Sequence, residues 1–289
     1  MSLSGGRIDT GTAANAHGLY ITNASVDLNS NPQGTGVAVT TGGAGANAAI
    51  IGAGGRLNAT NASLHAQGTN AAGLHMFGVT DAATINAIAS GTVGTAPVAP
   101  VNDDGTPGVL AVMAPATPLA EPLGGTEAVT LNSSSVVSDA GAAIRVLGGN
   151  ATIAANNSVI SGVAAFQVQS LSSGATSTPG VATLNANAST LTGSAMTETG
   201  SQSTLNLANG SRWNVTGNSV VTYLGNDNSL IDVQAAAGLL RPLAASPVPS
   251  GEYRTVSVTG SYSGNNGAVA LNTFLAPAAR CPSNSPTGC

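Results

Sequence analysis

The side chains that could do chemistry are few and scattered. Eight Asp and four Glu supply the carboxylates, His17, His65 and His75 the imidazoles, and seven Arg the only basic groups, because the chain has no lysine. Asp103 and Asp104 are adjacent. In a strand they point to opposite faces; in a loop they could offer oxygens to a cation, although calcium wants about six or more. Asp227 and Asp232, beside Asn226 and Asn228, form a second cation candidate, and turn chemistry by Asn and Asp accounts for the same residues. His65 and His75 could meet across a repeat as a metal pair; the plainer reading is two surface histidines. A serine protease needs His, Asp and an activated Ser in one place, and neither Gly-Asp-Ser-Gly nor Gly-x-Ser-x-Gly occurs. Gly42–Gly45 and Gly52–Gly55 lack the lysine of a phosphate loop and read as corners. Cys281 and Cys289 are either a short disulfide loop or two free thiols, and without CxxC spacing they do not suggest zinc. Neither a catalytic residue, a cofactor nor a metal is expected.

Composition narrows the class further. Charged residues make up 7% of the 289 residues and aromatics 3%, against roughly 25% charged in an ordinary soluble domain. Small residues must therefore stack regularly if the chain is to fold at all. Arg7, Arg56, Arg145, Arg212, Arg241, Arg254 and Arg280 stand singly in a chain of net charge -5. A phosphate-binding surface needs several on one face, so no nucleic-acid partner is expected. No apolar run is long enough to span a bilayer as a helix. The opening Met1–Arg7 has no charged region followed by an apolar stretch, so an exported chain of this type is expected to have lost its signal or to be an internal piece.

One unit keeps returning: a β-branched or Leu anchor, small and Asn/Ser residues, a second anchor, then a Gly-containing turn. Ile21–Leu28, Leu57–Leu64, Val129–Val136, Ala151–Val159, Ala182–Leu191 and Ser203–Trp213 are copies. Between them, short strands open on Gly36, Gly73, Gly141 and Gly162. Leu131 to Ile153 and Leu184 to Leu205 mark a period of about two dozen residues or slightly less, the range of structural repeats. The strands alternate apolar with small polar residues, and no amphipathic helix of useful length appears.

This pattern predicts an all-β right-handed parallel β-helix, a β-solenoid of single-stranded coils with projecting loops. Coils stack at roughly 4.8 Å, so about a dozen would form a rod on the order of 60 Å long. Val, Ile, Leu and Ala fill inner columns, and corners use Gly and Asn, which tolerate positive φ or bond the backbone. Residues 1–275 form the helix and 276–289 an irregular tail. The Pro-rich run 95–125, with Asp103 and Asp104 at its middle, reads as an excursion from the rod. Residues 240–251 read as a shorter one.

Residues 203–275 carry a family resemblance. Gly210-Ser211-Arg212-Trp213-Asn214-Val215-Thr216-Gly217-Asn218-Ser219 resembles a coil near the end of pertactin-like autotransporter passengers, where a Trp precedes a Gly-Asn-Ser turn. Asn228–Val233, Glu252–Gly260 and Gly267–Thr273 are similar to the segments that follow, the start of the autochaperone region. The resemblance implies structural roles for Trp213, Tyr253, Leu271 and Asn272. After Leu275 the chain departs from that family, and the outer-membrane β-barrel translocator is expected elsewhere in the full-length protein. The implied function is a non-catalytic adhesin or virulence factor, extracellular or on the bacterial outer-membrane surface. It would contact a host protein or glycan through the 95–125 run, Asp103 and Asp104 above all. The alternative is a glycan-active β-helix enzyme, polysaccharide lyase- or hydrolase-like, which would need two carboxylates within about 5–10 Å.

Overall fold

The computed structural model describes residues 1–52, 54–78, 126–173, 176–233 and 254–271. None of these is helical. The strands, numbered in chain order, stack into a parallel β-helix with three faces, except β15 (Leu171–Ser173) and β16 (Thr176–Thr178), which pair antiparallel with each other. The first face is a nine-stranded sheet. Its rungs are β1 (Ser2–Ser4), β4 (Ser25–Asn29), β7 (Arg56–Thr60), β10 (Glu127–Asn132), β13 (Gly149–Asn156), β17 (Gly180–Asn187), β19 (Gln202–Ala208), β21 (Ser219–Asn226) and β23 (Val256–Ser263). On the second face lie β2 (Gly6–Asp9), β5 (Val37–Thr41), β8 (Ser63–Ala66) and β11 (Ser135–Ser138), followed by the first halves of β14 (Val159–Gln169) and β18 (Thr190–Thr197). It continues through β20 (Arg212–Asn214), β22 (Leu230–Asp232) and β24 (Ala268–Ala270). The third face holds β3 (Leu19–Ile21), β6 (Ala49–Ile51), β9 (Leu74–Phe77), β12 (Ala142–Leu147) and the second halves of β14 and β18. β14 bends near Gly162 and joins the last two faces into one sheet.

Register turns alternation into core. On the first face Val26, Leu57, Val129, Ile153, Leu184, Leu205 and Leu224 stack one above another. Beside them run Leu3, Leu28, Ala59, Leu131, Ala155, Ala186 and Leu207. The second face supplies Ile8, Val39, Leu64, Val136, Ile160, Leu191, Trp213 and Ile231. These belong to one continuous apolar cluster, with Leu3 and Ile8 packed against its end. The anchors Leu131 and Ile153, two positions out of step, do not pair: Leu131 lies on Ala155 and Ile153 on Val129. Among the described residues nine rungs at roughly 4.8 Å span about 40 Å, shorter than a dozen coils would be. Coils are uneven, from 19 residues between Leu205 and Leu224 and 31 between Ile153 and Leu184 to 72 between Leu57 and Val129.

The corner between the first two faces explains the recurring Asn and Ser. Asn61, Ser133, Asn157 and Ala188 all take positive φ there. Each donates its N–H to a carbonyl of the next coil: Asn132, Asn156, Asn187 and Ala208 respectively. The next position is a buried column of Ser134, Ser158, Ser189 and Ser211. Each hydroxyl accepts the N–H of the residue one coil earlier, at 3.0–3.1 Å, beginning with Ala62. Ser134, Ser189 and Ser211 also donate back to Ala59, Ala155 and Ala186. Buried polar groups at the turn are thus paired between coils.

Ser189→Ala removes the acceptor of the Ser158 N–H and a donor to the Ala155 carbonyl. It should lower unfolding free energy by about 1–3 kcal/mol in urea titration. Ala188, a strained residue at φ 49, should behave oppositely. Ala188→Asn, which copies Asn157 at the same corner, should raise stability by about 0.5–1 kcal/mol.

Candidate functional site

The polar side chains of the rod divide by face. On the second face His65 Nε2 lies 2.8 Å from Asp139 Oδ1. His75 sits on the same coil but on the third face, so the two histidines are not brought together. Asp232 pairs with Arg212. Asp227 Oδ1 accepts the Asn265 N–H of the next coil at 2.9 Å. Asp27 accepts from Asn58 at 2.7 Å, and Glu198 accepts the Ser170 N–H at 2.6 Å. Among the described residues no group of three His, Cys, Asp or Glu converges on one point. A shallow, open depression beside β20 and β22 is lined by Gly210, Ser211, Arg212, Asn228, Ser229, Leu230 and Asn266. Gly43 and Gly45 are corners as read: a Cβ on Gly43 would strike the Ala13 carbonyl, and Gly45 has φ +68.

Trp213 is fully buried in the second-face column, and its Nε1 donates to the Gly193 carbonyl at 3.0 Å. Leu271 follows β24 and is 60% exposed. Asp103, Asp104, Tyr253, Asn272, Cys281 and Cys289 lie outside the described residues, as do the runs 95–125 and 240–251.

Two buried polar features were not anticipated. The first lies on the outer side of the third face, where register stacks Tyr20, Ile50, His75, Arg145 and Gln167. Ile50 and Phe77 are 1% and 0% exposed although they belong to this outer side, and Leu147 and Leu171 pack against them. The Asn47 N–H donates to His17 Nδ1 at 3.1 Å, and its amide nitrogen lies 3.4 Å from both His17 Nδ1 and His75 Nδ1. Burial pushes His17 down to about 4. It pushes His75 down to about 3, helped by the Arg145 and His17 charges. Arg145 Nε donates to Gln167 Oε1 at 3.1 Å. Both imidazoles are therefore neutral acceptors at neutral pH.

The second feature is Glu127, the first residue of β10. It is 0% exposed, and neither carboxylate oxygen has a hydrogen-bond partner. Burial pushes its carboxyl up to about 7, against a smaller pull in the other direction from the nearby dipole of its own N–H. Its spacing from Val129 and Leu131 marks it as inward-facing, a signal that sequence reading alone could have used. Nothing comparable announces the His17–Asn47–His75 cluster, which β9 and the turns leading into β3 and β6 assemble.

The first face presents a different surface. Outward from β10, β13, β17 and β19 point Ala128, Thr130, Asn132, Thr152, Ala154, Asn156, Thr183, Asn185, Asn187, Thr204, Asn206 and Ala208, without a charge among them. The amides bond along the rod: Asn156 to Asn132 at 3.0 Å, Asn206 to Asn185 at 2.8 Å, Asn209 to Asn187 at 2.6 Å.

Fold and surface together define a parallel β-helix whose first face carries, from β10 to β19, an uncharged stretch of hydroxyls and amides. Comparison with known proteins adds no closer kinship: no family model matches the chain, and neither a curated protein nor a solved structure is significantly similar to it.

The histidines fix a direction for acid sensitivity. Their folded values lie below the ordinary 6.5. Their contribution is present above pH 6.5 and is lost as pH falls from there toward the folded values. Thermal midpoints should drop between pH 7 and 5, by an amount equivalent to about 1–2 kcal/mol per histidine. In a His17→Gln/His75→Gln variant the drop should shrink. Equal slopes in both proteins would remove the histidines as its cause.

Proposed function

We propose that this chain is a non-catalytic recognition rod of the bacterial cell surface, a passenger of the pertactin-like autotransporter type that contacts a host protein or glycan. The observation that carries the reading is the uncharged outer surface of the first face from β10 to β19. There, four consecutive in-register rungs offer hydroxyl and amide groups at a spacing of roughly 4.8 Å. Such a surface binds by area, shape and hydrogen bonding, as specific interfaces do when bulk hydrophobicity does not distinguish them. The likeness of residues 203–275 to the end of such passengers supports the autotransporter assignment and, with it, an extracellular location. A membrane β-barrel on the full-length protein belongs to the same reading. The parallel β-helix itself is compatible with many functions and does not select among them.

The test is binding of the purified chain to epithelial cells and to an array of neutral and acidic glycans. Thr183→Glu/Thr204→Glu places two charges on the uncharged face while leaving the inward columns intact. Deleting residues 95–125 removes the Pro-rich run with Asp103 and Asp104. We expect wild-type binding, with at least tenfold weakening by one of the two changes. Binding by neither cells nor glycans would defeat the recognition reading. Release of reducing ends or unsaturated sugars from a polysaccharide substrate would replace it with the enzymatic one.

A further inference from the structure

Glu127 is the one buried residue with an ionisable acid among those described, and the rod does nothing to satisfy it. It occupies an inward column with Ala151, Ala182 and Ser203. One step later Ala128 pairs with Arg56, so Glu127 stands over Gly55. Its two neighbours along the column are thus a glycine and an alanine, which leave room for a carboxyl head but offer it no side-chain partner.

Among the described residues no countercharge faces it. From β7 the only charged residue is Arg56, which is exposed and turned outward with Ala128. β13 holds no titratable residue. Across the core, His75 on β9 and Arg145 on β12 belong to the outward column, where Arg145 bonds Gln167 and the Asn70 carbonyl. The sequence from 79 to 125, which precedes Glu127, contains no Arg, Lys or His. An ionised carboxylate at this place would be a buried, unpaired charge, which folded proteins avoid by neutralising the group.

We propose that Glu127 is a protonation latch on the coil that β10 opens: with the carboxyl protonated the β7–β10–β13 ladder closes, and on ionisation the start of β10 parts from its neighbours. The group is held above its ordinary 4.5, at about 7. The stability it contributes is therefore fully present below 4.5 and is lost as pH rises through about 7. This is opposite in sign to the outward histidines, whose contribution fails on the acid side. The latch is local, because the ladder from β17 onward contains no buried acid among the described residues.

Hydrogen exchange of the full chain, corrected for the intrinsic pH dependence of exchange, reads it directly. Between pH 5 and pH 8, opening measured at amides 56–60 and 127–132 should increase roughly tenfold to a hundredfold relative to amides of β17 and β19. Glu127→Gln should abolish that difference. If E127Q does not fold, Glu127→Leu, which suits the apolar column, serves the same purpose. The wild-type comparison between rungs stands without either variant. A uniform pH response along the rod, or the same local response in E127Q or E127L, would overturn the latch.

Discussion

Everything in this molecule depends on the parallel backbone ladder that holds each coil to the next. A coil of about two dozen small residues cannot enclose a core by itself. Stacked in register, its Ala, Val, Ile and Leu side chains meet their equivalents above and below, and the columns become an interior. Ala59, Ala155 and Ala186 are buried as fully as Leu28 and Leu131 in the same column. Register also sets the cost of error. A slip by one residue would turn every apolar column outward, so the turns must count residues correctly. The serine column performs that task at one corner: each hydroxyl bonds the preceding coil and the N–H of Ser134, Ser158 and Ser189 bonds the following one, so a coil out of step would leave these groups unpaired.

The same constraint explains the shortage of charge. In a parallel stack, equivalent outward positions lie roughly 4.8 Å apart, and like charges directly opposite each other repel. A charged residue repeated from coil to coil would work against the ladder. Asn repeated from coil to coil works for it, because an amide both donates and accepts. The bonds Asn156–Asn132, Asn206–Asn185 and Asn209–Asn187 are this arrangement in place. Charged side chains stand singly or in isolated pairs, such as Arg7 with Asp9 and Arg212 with Asp232. None forms a repeated column of one sign. The 7% charged fraction is thus a consequence of the architecture.

Much of this was legible in the residue order, and the failures have physical causes. Alternation plus recurring Asn and Gly identified the parallel β-helix, because side-chain period and corner conformation are local properties. The frame of the repeat was less secure. Ile21–Leu28 and Leu57–Leu64 read as copies, yet the first spans the corner from the third face to the first and the second spans the corner from the first face to the second. Both corners use an Asn at positive φ, Asn23 and Asn61, so one short signal serves two geometries. Gly36 likewise opens a second-face strand, whereas Gly73 and Gly141 open third-face strands. Side-chain partnerships between coils were illegible for another reason. His65 and Asp139 are 74 positions apart, a separation set by what lies between coils and by no local pattern.

The core leaves little freedom for chemistry inside the rod, and this shapes where function can reside. Inward positions are committed to stacking, with Ser and Thr hydroxyls used up at corners, and a single acid there stands unpartnered. Outward positions carry no such commitment. They can change from Thr to Asn to Ala along a column without disturbing the columns beneath, as β10, β13, β17 and β19 show. Recognition on such a scaffold evolves by substitution on exposed faces and by insertion between coils, while the ladder remains the same. Glu127 and the His17–Asn47–His75 cluster both break this division, one as an inward acid and the other as half-buried imidazoles outside the core. Their opposed proton preferences follow from the same desolvation, which disfavours the charged form of either group. A rod built almost without charge therefore concentrates its response to pH in the few residues where that rule is broken.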